Sequence, residues 1–294
     1  MSDPVLVLSG GGNLGAVQAG MVQTLFHAGV RPGALLGSSV GALNAAYLAV
    51  DPTPARADAL VDAWRSVRSA DVFGGNRRLG FAAVLLGRRA HVHHTRGLER
   101  LVDRWFEPDD LADTAVPLHV ATTELETGVV RWWRAGEPTA VLLASAAIPV
   151  LFPPVELDGS LHVDGALVEP VGVVRAAALG AQHIVVIDTG ATSLPMGELD
   201  GAAAALVATI RAGRMARLAS DRTAVDAERV AWLTADCLSL GYADFDHTDE
   251  LIDIGRAAAE SFLRDQPGLL PQRSTCTMRS TGGRSAGLKS VPLV

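Results

Sequence analysis

Short apolar runs alternate along the chain with stretches of helical period. Val5-Leu6-Val7-Leu8 is continuously apolar and ends at Ser9-Gly10-Gly11-Gly12. Such a run predicts a buried parallel strand followed by a glycine turn. Val17, Met21, Leu25 and Ala28 then recur at helical spacing over 15–28, with Gly29 as the stop. Ala34-Leu35-Leu36 predicts a second strand. It runs into Gly37-Ser38-Ser39-Val40-Gly41 and a helix over 42–50. Two successive strand–turn–helix units begin a parallel sheet. A helix over 55–70 follows, with Leu60, Ala63, Trp64 and Val67 on one face. Further strands are predicted over 118–123, 129–133, 161–163, 183–188 and 229–233. Further helices are predicted over 139–147, 170–179, 200–218 and 249–264. The whole reads as α/β, a mainly parallel central sheet flanked by helices, in one domain over 4–265. An insertion at about 70–110, expected to cover the site as a lid, interrupts it. It is rich in Arg and His around Phe81-Ala82-Ala83-Val84-Leu85-Leu86.

Composition narrows the class. Of 294 residues, 49% are hydrophobic and 19% charged, which provides for a sizeable core and excludes a disordered chain. Cys237 and Cys276 are too few for a disulfide framework. The net charge of −7, with Lys289 the single lysine, shows no basic excess and excludes nucleic acid as the expected partner. The 267–294 tail carries Arg273, Arg279, Arg284 and Lys289 and no acidic residue, and is expected to be poorly ordered. Met1-Ser2-Asp3-Pro4 lacks the basic start of a signal peptide, and no run of 18 apolar residues occurs. The expected location is the cytoplasm, with peripheral membrane contact where the Arg-flanked apolar segment meets anionic lipid. A plain surface helix is the competing reading of that segment.

Gly10-Gly11-Gly12-Asn13-Leu14-Gly15 matches the dinucleotide pattern G-x-G-x-x-G. That use needs an acidic residue about 20 positions on, and no Asp or Glu lies between Pro4 and Val50. A phosphate-binding P-loop needs a lysine that is absent here. An oxyanion hole made by backbone N–H groups fits the glycines better. A bare tight turn is the remaining alternative.

Gly37-Ser38-Ser39-Val40-Gly41 matches G-x-S-x-G, the strand-to-helix elbow that presents a serine hydroxyl. Ser39 is the candidate nucleophile, against a helix cap by Ser38 or Ser39. A serine nucleophile needs a base. Only His183 and His247 follow Asp164 in the chain, so the Ser, acid, His order of α/β-hydrolases is poorly served. Asp164-Gly165-Ala166, at the end of a predicted strand, offers a carboxylate that could take the proton directly.

These three elements in this order resemble the patatin-like phospholipase family. The segments Ala144-Ser145-Ala146-Ala147-Ile148-Pro149 and Phe152-Pro153-Pro154 look like that family too. The resemblance implies a three-layer hydrolase fold and a Ser39–Asp164 dyad without histidine. It implies an oxyanion hole at Gly10, Gly11 and Gly12, with Gly15, Gly37, Gly41 and Gly165 as motif glycines. The implied activity is hydrolysis of lipid acyl esters, of phospholipase A, lysophospholipase or carboxylesterase type, with no cofactor. Many members carry a basic residue where this chain has Leu14. The rivals are a non-catalytic lipid-binding module and a nucleotide-binding protein using Gly10 to Gly15. His91-Val92-His93-His94 lacks a Cys or carboxylate at ligand spacing and reads as a solvated loop, so no metal is expected. Trp132-Trp133 reads as core or as acyl-pocket wall.

Overall fold

The computed structural model describes residues 3–73, 91–190, 202–235 and 245–269. The apolar segment 81–86, its flanking arginines 77, 78, 88 and 89, both cysteines and the tail from 270 lie outside these residues. Eight strands form one sheet: β1 (Val5–Leu8), β2 (Ala34–Ser38), β3 (Leu118–Glu124), β4 (Val130–Trp133), β5 (Val155–Leu157), β6 (Ser160–Asp164), β7 (Ile184–Asp188) and β8 (Val230–Thr234). The order is β5-β6-β3-β2-β1-β7-β8, with β4 also on β3. β3, β2, β1, β7 and β8 run parallel, while β4, β5 and β6 are antiparallel to their neighbours.

The described helices are α1 (Gly15–His27), α2 (Val40–Ala49), α3 (Pro54–Ser66), α4 (Ser69–Val72), α5 (Arg96–Trp105), α6 (Pro138–Ser145), α7 (Val173–Ala178), α8 (Ala202–Ala224) and α9 (Thr248–Asp265). They cover both faces of the sheet, as alternation along β1 requires. Leu6 and Leu8 enter the larger core, against α1, α2, α3, α5 and α9. Val7 enters the smaller one, with Leu36, Val186 and Val173 of α7. Every residue of α2 is buried, as an all-round apolar helix demands.

Three expectations shift. The helix predicted over 55–70 is two, because Val67 is extended and separates α3 from α4. The helix predicted over 170–179 is the shorter α7, because Gly172, at φ −74°, ψ 32°, is its N-cap and the chain before it is not helical. Within the insertion, α5 turns Leu98, Leu101, Val102 and Trp105 into the core, so this part is framework.

Candidate active site

β3 acts as a ruler for the site. Its first half pairs with β2 and its second half, along the same edge, with β6. Ser38 of β2 stands opposite Ala121, and Asp164 of β6 stands opposite Thr122, the next residue. β2 runs parallel to β3 and β6 antiparallel, so their C-terminal ends meet head to head. Ser39 leaves β2 at this meeting point. Its Oγ donates to Asp164 Oδ2 at 2.6 Å. The two residues are 125 apart in the chain, so the sheet register alone brings them together.

Ser39 sits at φ 55°, ψ −132°, a conformation that costs a non-glycine residue about 1–3 kcal/mol. The tight turn demands small neighbours. A Cβ on Gly37 would lie 2.4 Å from the Gly41 carbonyl oxygen, and one on Gly41 would lie 2.3 Å from that of Leu8. Ser39 precedes α2 but makes no side-chain cap bond, and Ser38 turns its hydroxyl to the Pro170 carbonyl at 3.3 Å. The capping alternative is therefore overturned.

Asp164 is 3% exposed. Its Oδ1 accepts the Ala166 N–H at 2.7 Å. Burial pushes its pKa up to about 6, held back by the Ser39 hydroxyl, the Ala166 N–H and the Arg214 guanidinium. Gly165 is required next to it, since a Cβ there would lie 2.2 Å from the Ala121 carbonyl oxygen. The 144–149 segment ties both residues down. Ser145 Oγ accepts the Ser39 N–H at 3.0 Å, and the Ala147 carbonyl accepts the Asp164 N–H at 3.0 Å.

The glycine turn lies directly over this pair. A Cβ on Gly10 would be 3.1 Å from Ser39 Cβ and 2.6 Å from Ala166 Cβ. Gly10 donates its N–H to the Pro170 carbonyl at 3.4 Å, which removes it from an oxyanion hole. No acceptor among the described residues takes the N–H of Gly11 or Gly12. Gly12 has φ 62°, a left-handed conformation that glycine adopts freely. Gly15 lets α1 approach Val40 and Trp64, whose side chains a Cβ would meet at 2.4 and 2.5 Å.

Buried polar residues that the sequence reading missed hold this turn. Ser9 Oγ donates to Asp188 Oδ1 at 3.0 Å and accepts the Thr189 N–H at 2.9 Å. Gln18 donates to the carbonyls of Ser9 and Ile187, both at 2.9 Å. Asn44 donates to Gln18 Oε1 at 3.0 Å and accepts from Trp64 Nε1 at 2.9 Å. Asn44 was the findable one, an amide inside the apolar run of α2. An apolar cavity opens beside Ser39, between Gly12, Leu43, Trp64, Phe73, Phe152 and Phe245. Trp132 and Trp133 do not line it. Trp133 is core, donating to Thr122 Oγ1 at 2.8 Å, and Trp132 packs against Gly172.

Among the described residues the hydrogen-bond partner of Ser39 Oγ is Asp164, not a histidine. His183 is half-buried just ahead of β7, and His247 is exposed ahead of α9. His119 is buried, and that burial pushes its pKa down to about 4, with Arg134 and Arg175 adding to the effect. His91 Nδ1 bonds the His93 carbonyl at 2.8 Å. Among the described residues no group of three or more His, Cys, Asp or Glu converges as a metal site, and no helix is long and apolar enough to cross a membrane.

A model of the family described as patatin-like phospholipase matches residues 6–177. A lysophospholipase of Aspergillus terreus is 28% identical over 187 residues, covering 63% of this chain and 12% of the relative. One from Coccidioides immitis is 26% identical over 296 residues, covering 92% and 18%. An uncharacterised NTE family protein of Mycobacterium tuberculosis is 27% identical over 289 residues, covering 90% and 47%. The chain thus spans under a fifth of the two lysophospholipases and about half of the mycobacterial protein. The crystal structure of VipD from Legionella pneumophila shares the fold, with a TM-score of 0.50 at 14% identity, covering 90% of this chain and 67% of that one.

Proposed function

The chain belongs to the patatin-like phospholipase family, and from that premise we propose that it is a serine acyl hydrolase acting on lipid carboxylic esters, of phospholipase A, lysophospholipase or carboxylesterase type. The observation that carries the reading is the 2.6 Å hydrogen bond from Ser39 Oγ to a buried carboxylate.

Asp164 Oδ2 takes the Ser39 proton as Oγ attacks the ester carbonyl. A carboxyl raised to about 6 is a stronger base than an exposed one and is still ionised at neutral pH. The N–H groups of Gly11 and Gly12 face the tetrahedral oxyanion. One such donor is typically worth about 3 to 4 kcal/mol. The protonated Asp164 returns its proton to the leaving alcohol, and the acyl group stays on Ser39. Asp164 then deprotonates a water, which releases the acid and restores the serine. The apolar cavity beside Ser39 receives the acyl chain. Lipid is the expected partner.

Fluorophosphonate labelling with peptide mass spectrometry tests the nucleophile, with p-nitrophenyl ester hydrolysis alongside. The expected adduct is on Ser39, weakened in Asp164→Asn. Neither adduct nor ester turnover, with liposome binding equal in wild type and Ser39→Ala, would transfer the chain to the lipid-binding class.

A further inference from the structure

α8 lays Arg214 against the glycine turn. Its Nη2 donates to the Gly10 carbonyl at 3.1 Å, across 204 residues of chain. Thr189 Oγ1 donates to the same carbonyl at 3.0 Å. Arg214 Nε is buried there without an acceptor among the described residues. The carbonyl so held belongs to Gly10, the residue packed on Ser39 and on the 164–166 turn. The Gly10 carbonyl and the Gly11 N–H share one rigid peptide plane and point in opposite directions. Two donors on the carbonyl therefore fix the direction of the Gly11 N–H, away from α8. A cation bonded to the carbonyl also polarises the peptide and strengthens that N–H as a donor.

The charge has no other source in the turn. Leu14 is fully buried and apolar. Arg217, one turn along α8, is engaged by Glu169 at 2.6 Å and Asp221 at 2.7 Å. Among the described residues, Arg214 is the cation whose charge acts on Asp164, and Asp188 at the end of β7 is the second carboxylate that acts on Arg214. Asp188 already accepts from Ser9 Oγ and, at 3.2 Å, from the Gly190 N–H.

We propose that Arg214 is a positioning residue of the hydrolytic site: it fixes the Gly10–Gly11 peptide as an oxyanion donor and sets its positive charge on the turn that packs against Ser39 and the 164–166 segment. The proposal rests on the Ser39–Asp164 reading above, and its test separates the two.

The first readout needs no turnover. The Asp164 side-chain carboxyl is titrated by carbon-13 NMR, identified by its loss in Asp164→Asn. In Arg214→Gln the midpoint rises, the direction expected when a nearby positive charge is lost. In Arg214→Lys it returns towards wild type. The second readout is ester hydrolysis. Arg214→Gln lowers kcat at least tenfold with KM within twofold, and its acid limb moves up with the titration. Thr189→Val removes the other donor to the Gly10 carbonyl and leaves the charge. It lowers kcat severalfold without moving the Asp164 midpoint, and it keeps the peptide-plane half testable if Arg214→Gln does not fold. An unmoved midpoint in folded Arg214→Gln overturns the electrostatic role. A kcat within twofold of wild type in both Arg214→Gln and Thr189→Val overturns the peptide-plane role. A wild-type protein that hydrolyses no ester overturns the hydrolase reading instead, and the titration then decides the Arg214–Asp164 pairing by itself.

Discussion

At the scale of single residues, Asp164 governs stability and, under the proposed mechanism, activity. Only its ionised form can take the Ser39 proton, so kcat/KM is expected to fall below about pH 6 with a slope of one. A pH–rate profile on a soluble ester checks this, and a limb near pH 4 would contradict it. Ser39→Ala should abolish turnover and Asp164→Asn should nearly do so, in folded proteins. The same burial has a stability consequence of definite sign. The folded pKa lies above the ordinary 3.8, so the folded state binds the proton more tightly than the unfolded chain. The stability that the protonated form contributes is fully present below about pH 4 and lost as pH rises through about 6. That difference corresponds to about 3 kcal/mol. Asp164→Asn, which cannot ionise, should therefore unfold at higher urea concentration than wild type at pH 8, and the difference should vanish near pH 4. Glu169 adds to the slope. Burial raises it to about 7, with Arg217 opposing and Asp221 pushing in the same direction, while the buried His119, held down to about 4, works the opposite way between about pH 4 and 6.5.

At the scale of elements, glycines set how closely backbones approach, and this was only partly legible in the sequence. Gly37, Gly41 and Gly165 announced themselves through motifs. Gly20 and Gly255 carry no motif, yet α1 and α9 touch through them. A Cβ on Gly20 would lie 2.0 Å from the Ile252 carbonyl oxygen, and one on Gly255 would lie 2.0 Å from that of Val17. Backbone at that distance cannot step aside as a side chain can. Gly20→Ala or Gly255→Ala is expected to cost at least the 1–3 kcal/mol typical of overpacking, about 3 at this distance, measured as a shift in urea midpoint. An unchanged midpoint would mean that α9 docks more loosely than described. What pattern reading missed has physical causes. β5 has three residues, too few for alternation to show. It is held instead by the Asp158-Gly159 hairpin, where both residues have positive φ. α5 has a clean stripe at Leu98, Leu101, Val102 and Trp105, but its many charges hid it. The meeting of Ser39 with Asp164 was legible because elbow and strand end are local signals whose order resembles the family's. Arg214 was not, because its relation to Gly10 exists only once α8 is laid across the sheet.

At the scale of the whole molecule, the family match ends at residue 177, but the site does not. β7 pairs with β1 along its full length, from Val5 against Ile184 to Leu8 against Ile187, and makes β1 an interior strand. Asp188 and Thr189, at its end, brace Ser9 and Gly10. α8 brings Arg214, and α9 covers α1. Ligand sites in open α/β sheets lie off the carboxyl ends of the strands, and here β1, β2, β6 and β7 all end at the site. A chain cut after residue 178 would keep every motif and lose this support. β1 would become an apolar edge strand with unpaired N–H and C=O groups, which invites association between chains. α1 would expose Val17, Met21 and the glycine stripe that Ile252 and Gly255 cover. Such a fragment is expected to aggregate on expression and to show no cooperative unfolding transition. Solubility, sedimentation and urea unfolding followed by circular dichroism check this. A monodisperse fragment with a sharp transition would mean that residues 6–177 fold alone, and that the elements after them serve the site without holding up the fold.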